Sequence, residues 1–147
     1  MEEIVVKEVK LEDAFKVHSD IEEFKEANDT IDLFEDRIKG KDNVILVAYY
    51  NDNPAGYMIS YDRYDDGSIY CWMAATKSEY RRHGILKNLM NYQMKLAKES
   101  GYNKVKIKTQ NDRREMLSYL VKNGWNFTDV KEKDDIMQNK ISLEINI

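Results

Sequence analysis

The chain has 147 residues, which is enough for one domain with a buried core and too few to suggest two. Its composition is 42% hydrophobic and 34% charged, and no stretch approaches the roughly 18 consecutive apolar residues of a membrane span. The formal charge of −4 argues against a nucleic-acid-binding protein, which would carry a net basic face. We therefore expect one soluble domain over residues 1–147, with neither a membrane nor a nucleic acid as its partner.

The N-terminal residues and the cysteine and histidine content bear on location and metal chemistry. The opening segment MEEIVVKEVK lacks the basic region and the apolar block of a secretory signal, so a cytoplasmic location is expected. A single cysteine, Cys71, cannot form an internal disulfide, and His18 and His83 stand apart from other metal-ligating residues. We predict no metal site, Cys71 packed as a small apolar residue, and His18 at the surface of a helix.

The first part of the chain predicts a strand and two helices. Residues 4–9 alternate apolar and charged side chains, as a half-buried strand does, and residues 11–24 change to a helical period. A second amphipathic helix is predicted over residues 26–39, with Asn28, Asp29 and Thr30 as candidate N-terminal caps.

Three strands should follow. Residues 44–50 form a nearly continuous β-prone run, residues 51–54 have turn chemistry, and residues 55–64 would be the partner strand of a hairpin. After a turn at Asp66 and Gly67, residues 68–75 carry no charge, which is typical of a strand covered on both faces. We expect this last strand to lie at the centre of the sheet.

The remaining chain predicts two helices and three strands. Residues 84–100 carry a wide apolar stripe that ends at Gly101, and residues 105–109 alternate as a strand. A short helix over residues 114–123 precedes two final strands, 125–130 and 141–147. The order β-α-α-β-β-β-α-β-α-β-β indicates an α/β or α+β domain around one twisted sheet.

A basic connection joins the central strand to the long helix. Arg81, Arg82 and Gly84 lead directly into the helix N-terminus, whose first N–H groups have no internal partner and therefore favour a phosphate. A glycine at the start of the helix lets a phosphate approach the backbone. The alternative is an ordinary solvated basic face with a loop glycine.

The segment Tyr80-Arg81-Arg82-His83-Gly84-Ile85 resembles the acetyl-CoA-binding motif of the GNAT superfamily of N-acetyltransferases. The resemblance extends in order from about residue 44 to residue 130. Its further matches are Gly101-Tyr102, Thr109, Asn111, Met116-Leu117 and Asn123-Gly124-Trp125.

This resemblance implies a single GNAT-like domain with a central twisted mixed sheet of six to seven strands and about four flanking helices. It also implies acetyl-CoA as co-substrate, bound between the central strand and the strand at 104–109 where the two splay apart. The residues matching the family's cofactor contacts are Ala74, Thr76, Arg81, Arg82, His83, Gly84, Ile85, Leu86 and Asn111. Asn111 could equally cap the following helix.

Two positions depart from the family pattern. Leu86 stands where the family has a small residue near the pyrophosphate, and Leu120 stands where many members have a tyrosine that protonates the departing thiolate. Tyr119 is the alternative acid, although adjacent helical residues point about 100° apart. Tyr119 could otherwise be a packing or surface residue.

The base and the acceptor are less defined. No carboxylate lies within residues 68–75, which leaves Tyr70, water held by Asp65 or Asp66, or no base. The acidic residues between positions 22 and 36 would overhang the acceptor side, which is compatible with a cationic amine or with a solvated acidic face.

The sequence therefore predicts an N-acetyltransferase that moves the acetyl group of acetyl-CoA to a small-molecule or protein amine. The alternative is a non-catalytic CoA-binding or interaction domain with the same fold, motivated by Leu86, Leu120 and the missing base. A modifier of aminoacyl-tRNA is disfavoured by the net acidity. Residues 141–147 alternate as an edge strand of a homodimer would.

Overall fold

A computed structural model describes residues 2–147, in which the predicted order of strands and helices is confirmed. The strands are β1 (Ile4–Glu8), β2 (Asn43–Tyr50), β3 (Asn53–Tyr61), β4 (Ser68–Thr76), β5 (Lys104–Gln110), β6 (Asn126–Lys131) and β7 (Lys140–Asn146). The helices are α1 (Leu11–Ser19), α2 (Ile31–Ile38), α3 (Ile85–Glu99) and α4 (Arg114–Lys122). Short 3₁₀ turns lie at Glu22–Phe24, Ser78–Tyr80 and Ile136–Gln138.

All seven strands form one mixed sheet in the order β1-β2-β3-β4-β5-β7-β6. Every neighbouring pair is antiparallel except β4 and β5, which are parallel and are joined by α3. The uncharged strand β4 lies at the centre, as its composition predicts. This confirms the predicted mixed sheet with four helices.

The helices cover both faces of the sheet. One buried cluster joins α3 and α4 to the sheet through residues such as Leu89 and Leu120. The other joins α1 and α2 to the opposite face through Val17, Phe34 and Tyr57. Because strand residues alternate between faces, β4 contributes Cys71 to the first cluster and its neighbour Tyr70 to the second.

The predicted splay between β4 and β5 is present. Their pairing runs from Ser68 opposite Lys104 to Cys71 opposite Ile107 and stops there. A bulge against β3 at the same level leaves Trp72 without a partner residue. The C-terminal halves of β4 and β5 therefore diverge and open the sheet at its centre.

Several predicted boundaries in the first part of the chain are wrong. The helix predicted over residues 11–24 ends at Ser19, and the second helix begins at Ile31 rather than near residue 26. Of its candidate caps, the hydroxyl of Thr30 is the one that accepts the N–H of Leu33, at 3.3 Å. Residues 20–30, five of which are acidic, connect the two helices and are hereafter called the α1–α2 connection.

The β2–β3 hairpin is tighter than predicted. Asn51 and Asp52 form the whole loop with φ angles of +47° and +72°, the left-handed pair that a two-residue hairpin requires. Asn53 and Pro54 already belong to β3, which ends at Tyr61 rather than at residue 64.

Two other expectations about exposure are wrong. His18 is only 1% exposed, because Tyr57 and Asp29 satisfy both of its ring nitrogens. The strand at 141–147 is not an edge: β7 lies between β5 and β6, so β6 is the edge strand at this end of the sheet. Homodimer formation stays a prediction. No helix within residues 2–147 is long and apolar enough to cross a bilayer.

Candidate active site

A cleft of about 1180 Å³ opens where β4 and β5 diverge. Its walls are the second half of β4, the start of α3 and the loop before it, the exposed side of α4, and the α1–α2 connection. The cleft passes through the sheet, because its lining includes side chains from both buried faces, such as Cys71 and Tyr70. Most of the residues predicted to bind a cofactor line it: Ala74, Thr76, Arg81, Arg82, Gly84, Ile85 and Leu86.

The N-terminus of α3 forms one end of the cleft. Gly84 precedes the helix with φ +84°, and its carbonyl accepts the backbone N–H of Asn88 at 3.0 Å and the Asn88 amide at 2.7 Å. No side chain among residues 2–147 caps the helix, which leaves the N–H groups of its first turn available to a ligand. Arg81, Arg82 and Lys87 line the same end, so this region favours an anion.

Arg81 crosses the cleft to an unexpected partner. Its guanidinium forms an ion pair with Glu23 of the α1–α2 connection. The hydrogen bond from Arg81 lowers the pKa of the Glu23 carboxyl, which makes this carboxylate a weak base at neutral pH. The pair links the basic loop to the opposite wall of the cleft.

Gly56 of β3 shapes the same region and is not identified by the sequence patterns. A Cβ at this position would lie 2.7 Å from Ile85 Cγ2 and 2.8 Å from the Ala75 carbonyl oxygen. The missing side chain therefore lets the first turn of α3 approach the end of β4. A lone glycine inside a strand is the available signal, because it often marks a close approach of this kind.

Burial raises the pKa values of Tyr70 and Cys71, the two titratable residues of β4 at the level where it diverges from β5. Burial raises the pKa of Tyr70 to about 12, although nearby Arg63 opposes this shift. Burial also raises the pKa of the Cys71 thiol to about 12. Cys71 is therefore a protonated packing residue at neutral pH, as expected from its apolar strand.

On α4, Tyr119 faces the cleft and Leu120 faces the core. Leu120 is 0% exposed within the cluster beneath α3, whereas Tyr119 packs at the rim of that cluster and lines the cleft. Burial raises the pKa of Tyr119, so its hydroxyl keeps its proton at neutral pH. Because adjacent helical residues point about 100° apart, α4 presents Tyr119 to the cleft while Leu120 faces the core.

Two predicted cofactor residues, His83 and Asn111, and two candidate bases, Asp65 and Asp66, lie outside the lining of the cleft. His83 turns to Glu2, 3.0 Å away, and Asn111 donates to the Ile136 carbonyl at 3.1 Å instead of capping α4. Asp66 is held by Lys106 and Ser68, which lower its pKa to about 2 and make it a poor base.

The acidic overhang expected on the acceptor side is reduced to one residue. Of the acids between positions 22 and 36, Glu23 is the one that lines the cleft, and Arg81 neutralises it. The lining carries nine arginine and lysine side chains against three carboxylates, although the whole chain has a net charge of −4. Sequence patterns did not reveal this basic lining, because its members come from separate segments.

Comparisons with known proteins agree with this architecture. A model of the acetyltransferase (GNAT) family matches residues 11–125. Among solved structures, Ard1 from Thermoplasma volcanium superposes with a TM-score of 0.79 at 18% identity, covering 98% of this chain and 97% of that chain. An IAA acetyltransferase from Bacillus cereus superposes with a TM-score of 0.78 at 14% identity, covering 99% and 100%.

A Bacillus subtilis acetyltransferase solved in complex with CoA has a TM-score of 0.72 at 16% identity, covering 100% of this chain and 99% of that chain. At these identities the superpositions establish the shared fold alone. No curated protein matches the sequence significantly.

Proposed function

Because the chain belongs to the acetyltransferase (GNAT) family, we propose that it transfers the acetyl group of acetyl-CoA to a primary amine by direct attack. The observation that carries this proposal is the cleft through the centre of the sheet, with an anion-binding helix terminus at one end and Tyr119 in its wall. A cytoplasmic location goes with the proposal, because acetyl-CoA is an intracellular metabolite.

The cofactor end of the cleft fits the pyrophosphate of CoA. The free N–H groups of the first turn of α3 would donate to phosphate oxygens, and Arg81, Arg82 and Lys87 would offset the charge. Ala74 and Thr76 lie on the half of β4 that pairs with β3 but not with β5, so backbone groups on the β5 side can hydrogen-bond an extended pantetheine arm. Leu86 packs partly against the core beneath α3, which accounts for a large side chain at this position.

The chemical step needs a neutral amine and a proton for the leaving thiolate. The nitrogen lone pair forms a bond to the thioester carbonyl carbon, the C–S bond breaks, and the amine nitrogen loses its proton to water in the open cleft. Tyr119 is the proposed proton donor to the thiolate sulfur, because its raised pKa keeps the hydroxyl protonated. Tyr70, with its pKa of about 12, is ionised in roughly one molecule in 10⁵ at pH 7 and is a poor base.

Calorimetric titration with acetyl-CoA and with desulpho-CoA tests the first half of the proposal. Wild-type protein should bind both saturably, and the Arg81→Glu and Gly84→Asp variants should lose binding through repulsion and blockage of the helix terminus. Lys98→Glu, an exposed charge reversal near the far end of α3, is the matched control and should bind normally. Absence of binding at millimolar ligand would refute an acetyltransferase role.

Release of free CoA thiol in the presence of amines tests the second half. Turnover with any primary amine supports the enzyme. Saturable cofactor binding with no turnover over a broad amine panel would instead favour the non-catalytic CoA-binding alternative.

A further inference from the structure

We infer that the acceptor is a small amine that carries a carboxylate or phosphate group. This inference rests on the proposed acetyl transfer and concerns the end of the cleft that lies across the sheet from α3. Five cationic side chains line the cleft on this face, and three aromatic rings contact the arginines among them.

The two ends of the cleft lie on opposite faces of the sheet. The first turn of α3 belongs to one face, since Ile85 packs in the same cluster as Cys71 and Ile107. Tyr70 and Trp72 pack with the α1 and α2 cluster on the other face. A co-substrate anchored at α3 and reaching through the splay leaves this second face open for the acceptor.

The cations at this second opening come from distant segments of the chain. Arg37 is on α2, Arg63 follows β3, Arg113 precedes α4, and Lys108 and Lys140 lie on β5 and β7. Both lysines face the acceptor side, because their strand neighbours Ile107 and Ile141 point into the α3 core.

Aromatic rings orient the arginines. The guanidinium of Arg37 lies 5.0 Å from the centre of the Trp72 ring, and that of Arg63 lies 4.9 Å from the Tyr70 ring. Arg113 lies 5.9 Å from the Phe24 ring. Stacking on a ring engages the face of the guanidinium and leaves its N–H edges free for bidentate bonds to carboxylate or phosphate oxygens.

These cations have no carboxylate partner within residues 2–147, where the ion pairs involve other basic residues. Of the three carboxylates in the lining, Glu23 pairs with Arg81, Asp112 accepts a hydrogen bond from Gln138 at 3.0 Å, and Glu115 forms no ion pair with any residue from 2 to 147. A group of like charges without counter-ions is stabilised by an anionic ligand and repels a polycationic one. The arrangement therefore favours an anionic amine and disfavours a polyamine.

The same charges also favour the attack. Positive charges near an amine disfavour its protonated form and so lower its pKa. A bound acceptor held by its anionic group near these arginines is thus shifted towards the neutral amine that the reaction requires. This effect supplies part of what a carboxylate base would otherwise contribute.

Matched pairs of acceptors test the inference by the rate of CoA thiol release. Phenylalanine and phenethylamine differ by a carboxylate, phosphoethanolamine and ethanolamine differ by a phosphate, and spermidine represents a polycation. We expect kcat/KM to be at least tenfold higher for the anionic member of at least one pair. The pair that shows the preference distinguishes a carboxylate from a phosphate ligand.

Variants connect the preference to the arginines. Arg37→Gln and Arg63→Gln should each raise the KM for the anionic acceptor several-fold without changing the affinity for acetyl-CoA, and Arg37→Lys should recover part of the loss. The matched control is Lys7→Gln, since Lys7 stacks on Tyr49 at 5.3 Å outside the cleft. Equal loss for amines with and without the anionic group would overturn the inference.

Failure of the inference is distinguishable from failure of the proposed function. If neither anionic amine is turned over more efficiently than its partner that lacks the anionic group, acetyl transfer stays intact and the anionic acceptor is refuted. Turnover of spermidine as efficient as that of the preferred anionic amine refutes it as well. If no amine is turned over, binding of the anionic amines is measured by tryptophan fluorescence. Trp72 lines the opening, whereas the other tryptophan, Trp125, is buried at 4% exposure. A saturable change with an anionic amine that Trp72→Phe abolishes supports the site, and no change with either anionic amine overturns it.

Discussion

At the scale of single residues, the hydroxyl of Tyr119 can be tested without disturbing the packing around it. Tyr119→Phe keeps the ring against the core and removes the proposed proton donor, so kcat should fall about 10- to 100-fold while the Kd for acetyl-CoA stays unchanged. Steady-state kinetics and calorimetry on the same sample measure the two quantities. Tyr92→Phe, a similar change on α3 outside the cleft, should leave both unaffected, and an unchanged kcat in the Tyr119 variant would exclude the role.

The sequence predicts the surroundings of a residue when its neighbours in space are also neighbours in sequence. It does not predict them when folding brings distant residues together. The basic loop at Arg81 and Gly84 is contiguous in sequence and adjoins a helix start, so its place at the N-terminus of α3 could be predicted. The burial of His18 could not be predicted, because its two hydrogen-bonding partners lie 11 and 39 positions away in the sequence. Arg37 escaped notice for the same reason, since its ring partner Trp72 lies on another element.

At the scale of secondary-structure elements, Gly56 controls how closely β3 and β4 approach α3. Gly56→Ala places a methyl group against Ile85 Cγ2 and the Ala75 carbonyl, at 2.7 and 2.8 Å. Because a backbone oxygen cannot move aside cheaply, we expect a stability loss of about 1 to 3 kcal/mol and a weaker affinity for acetyl-CoA. Thermal unfolding and calorimetric titration measure the two effects.

Gly101→Ala is the control for this experiment at the opposite end of α3. It introduces left-handed backbone strain at φ +91° with no atom within 4 Å of the new Cβ, so stability should fall by about 1 kcal/mol while cofactor affinity is kept. If both variants weakened binding equally, the close approach at Gly56 would not be the cause.

The buried His18 joins three elements and so holds one wall of the cleft. Its ring nitrogens lie 2.6 Å from the Tyr57 hydroxyl on β3 and 2.8 Å from the Asp29 carboxylate, and its ring stacks on Phe24 at 4.5 Å. His18→Ala should cost about 2 to 4 kcal/mol, because it leaves a cavity and two unpaired polar groups. Urea unfolding measures this loss.

Hydrogen exchange adds a readout specific to the wall. Amides of the α1–α2 connection, which carries Phe24 and Asp29, should exchange faster in the His18 variant, while those of β5 should follow only the change in global stability. His83→Ala removes a partly exposed histidine that contacts Glu2 at the surface and should change neither quantity appreciably. Unaltered exchange in the connection would show that His18 is not what anchors it.

Element order was predictable because each helix and strand carries its own hydrophobic period, but boundaries depended on tertiary contacts. The apolar pattern of α1 continues through Ile21 and Phe24, yet the helix ends at Ser19. These two residues reach the core from the stretch after α1, in which Glu22–Phe24 form a 3₁₀ turn. The edge position was assigned to β7 rather than β6 because both strands alternate similarly in sequence.

At the scale of the whole molecule, net charge concealed the character of the active cleft. In a chain of net charge −4, the acids between positions 22 and 36 suggested an acidic acceptor side, whereas the folded lining is basic. The reason is that folding separates charges by location: three of the 27 carboxylates line the cleft, whereas the five cations of the acceptor opening come to it from separate elements.

Alkaline pH should destabilise the whole fold, because several tyrosines are held in their neutral form. Burial raises the pKa of Tyr57, and burial together with Asp62 and Asp42 raises that of Tyr102. For Tyr70, the pKa rises from 10.0 to about 12. A pKa that is higher in the folded state means that the stabilisation is fully present below pH 10 and is lost as the pH rises through the folded pKa, since the unfolded chain releases its proton first.

The size of the Tyr70 contribution follows from its shift. A rise in pKa from 10.0 to about 12 corresponds to about 2 to 3 kcal/mol of folding stability, which is lost progressively between pH 10 and pH 12. Urea unfolding of the wild type at intervals from pH 8 to pH 11.5 should therefore give a free energy that is level at first and then falls. In Tyr70→Phe the fall in unfolding free energy should be smaller by roughly these 2 to 3 kcal/mol, because the variant has no proton to lose at this site. Parallel curves for the two proteins would mean that Tyr70 titrates alike in the folded and unfolded chains.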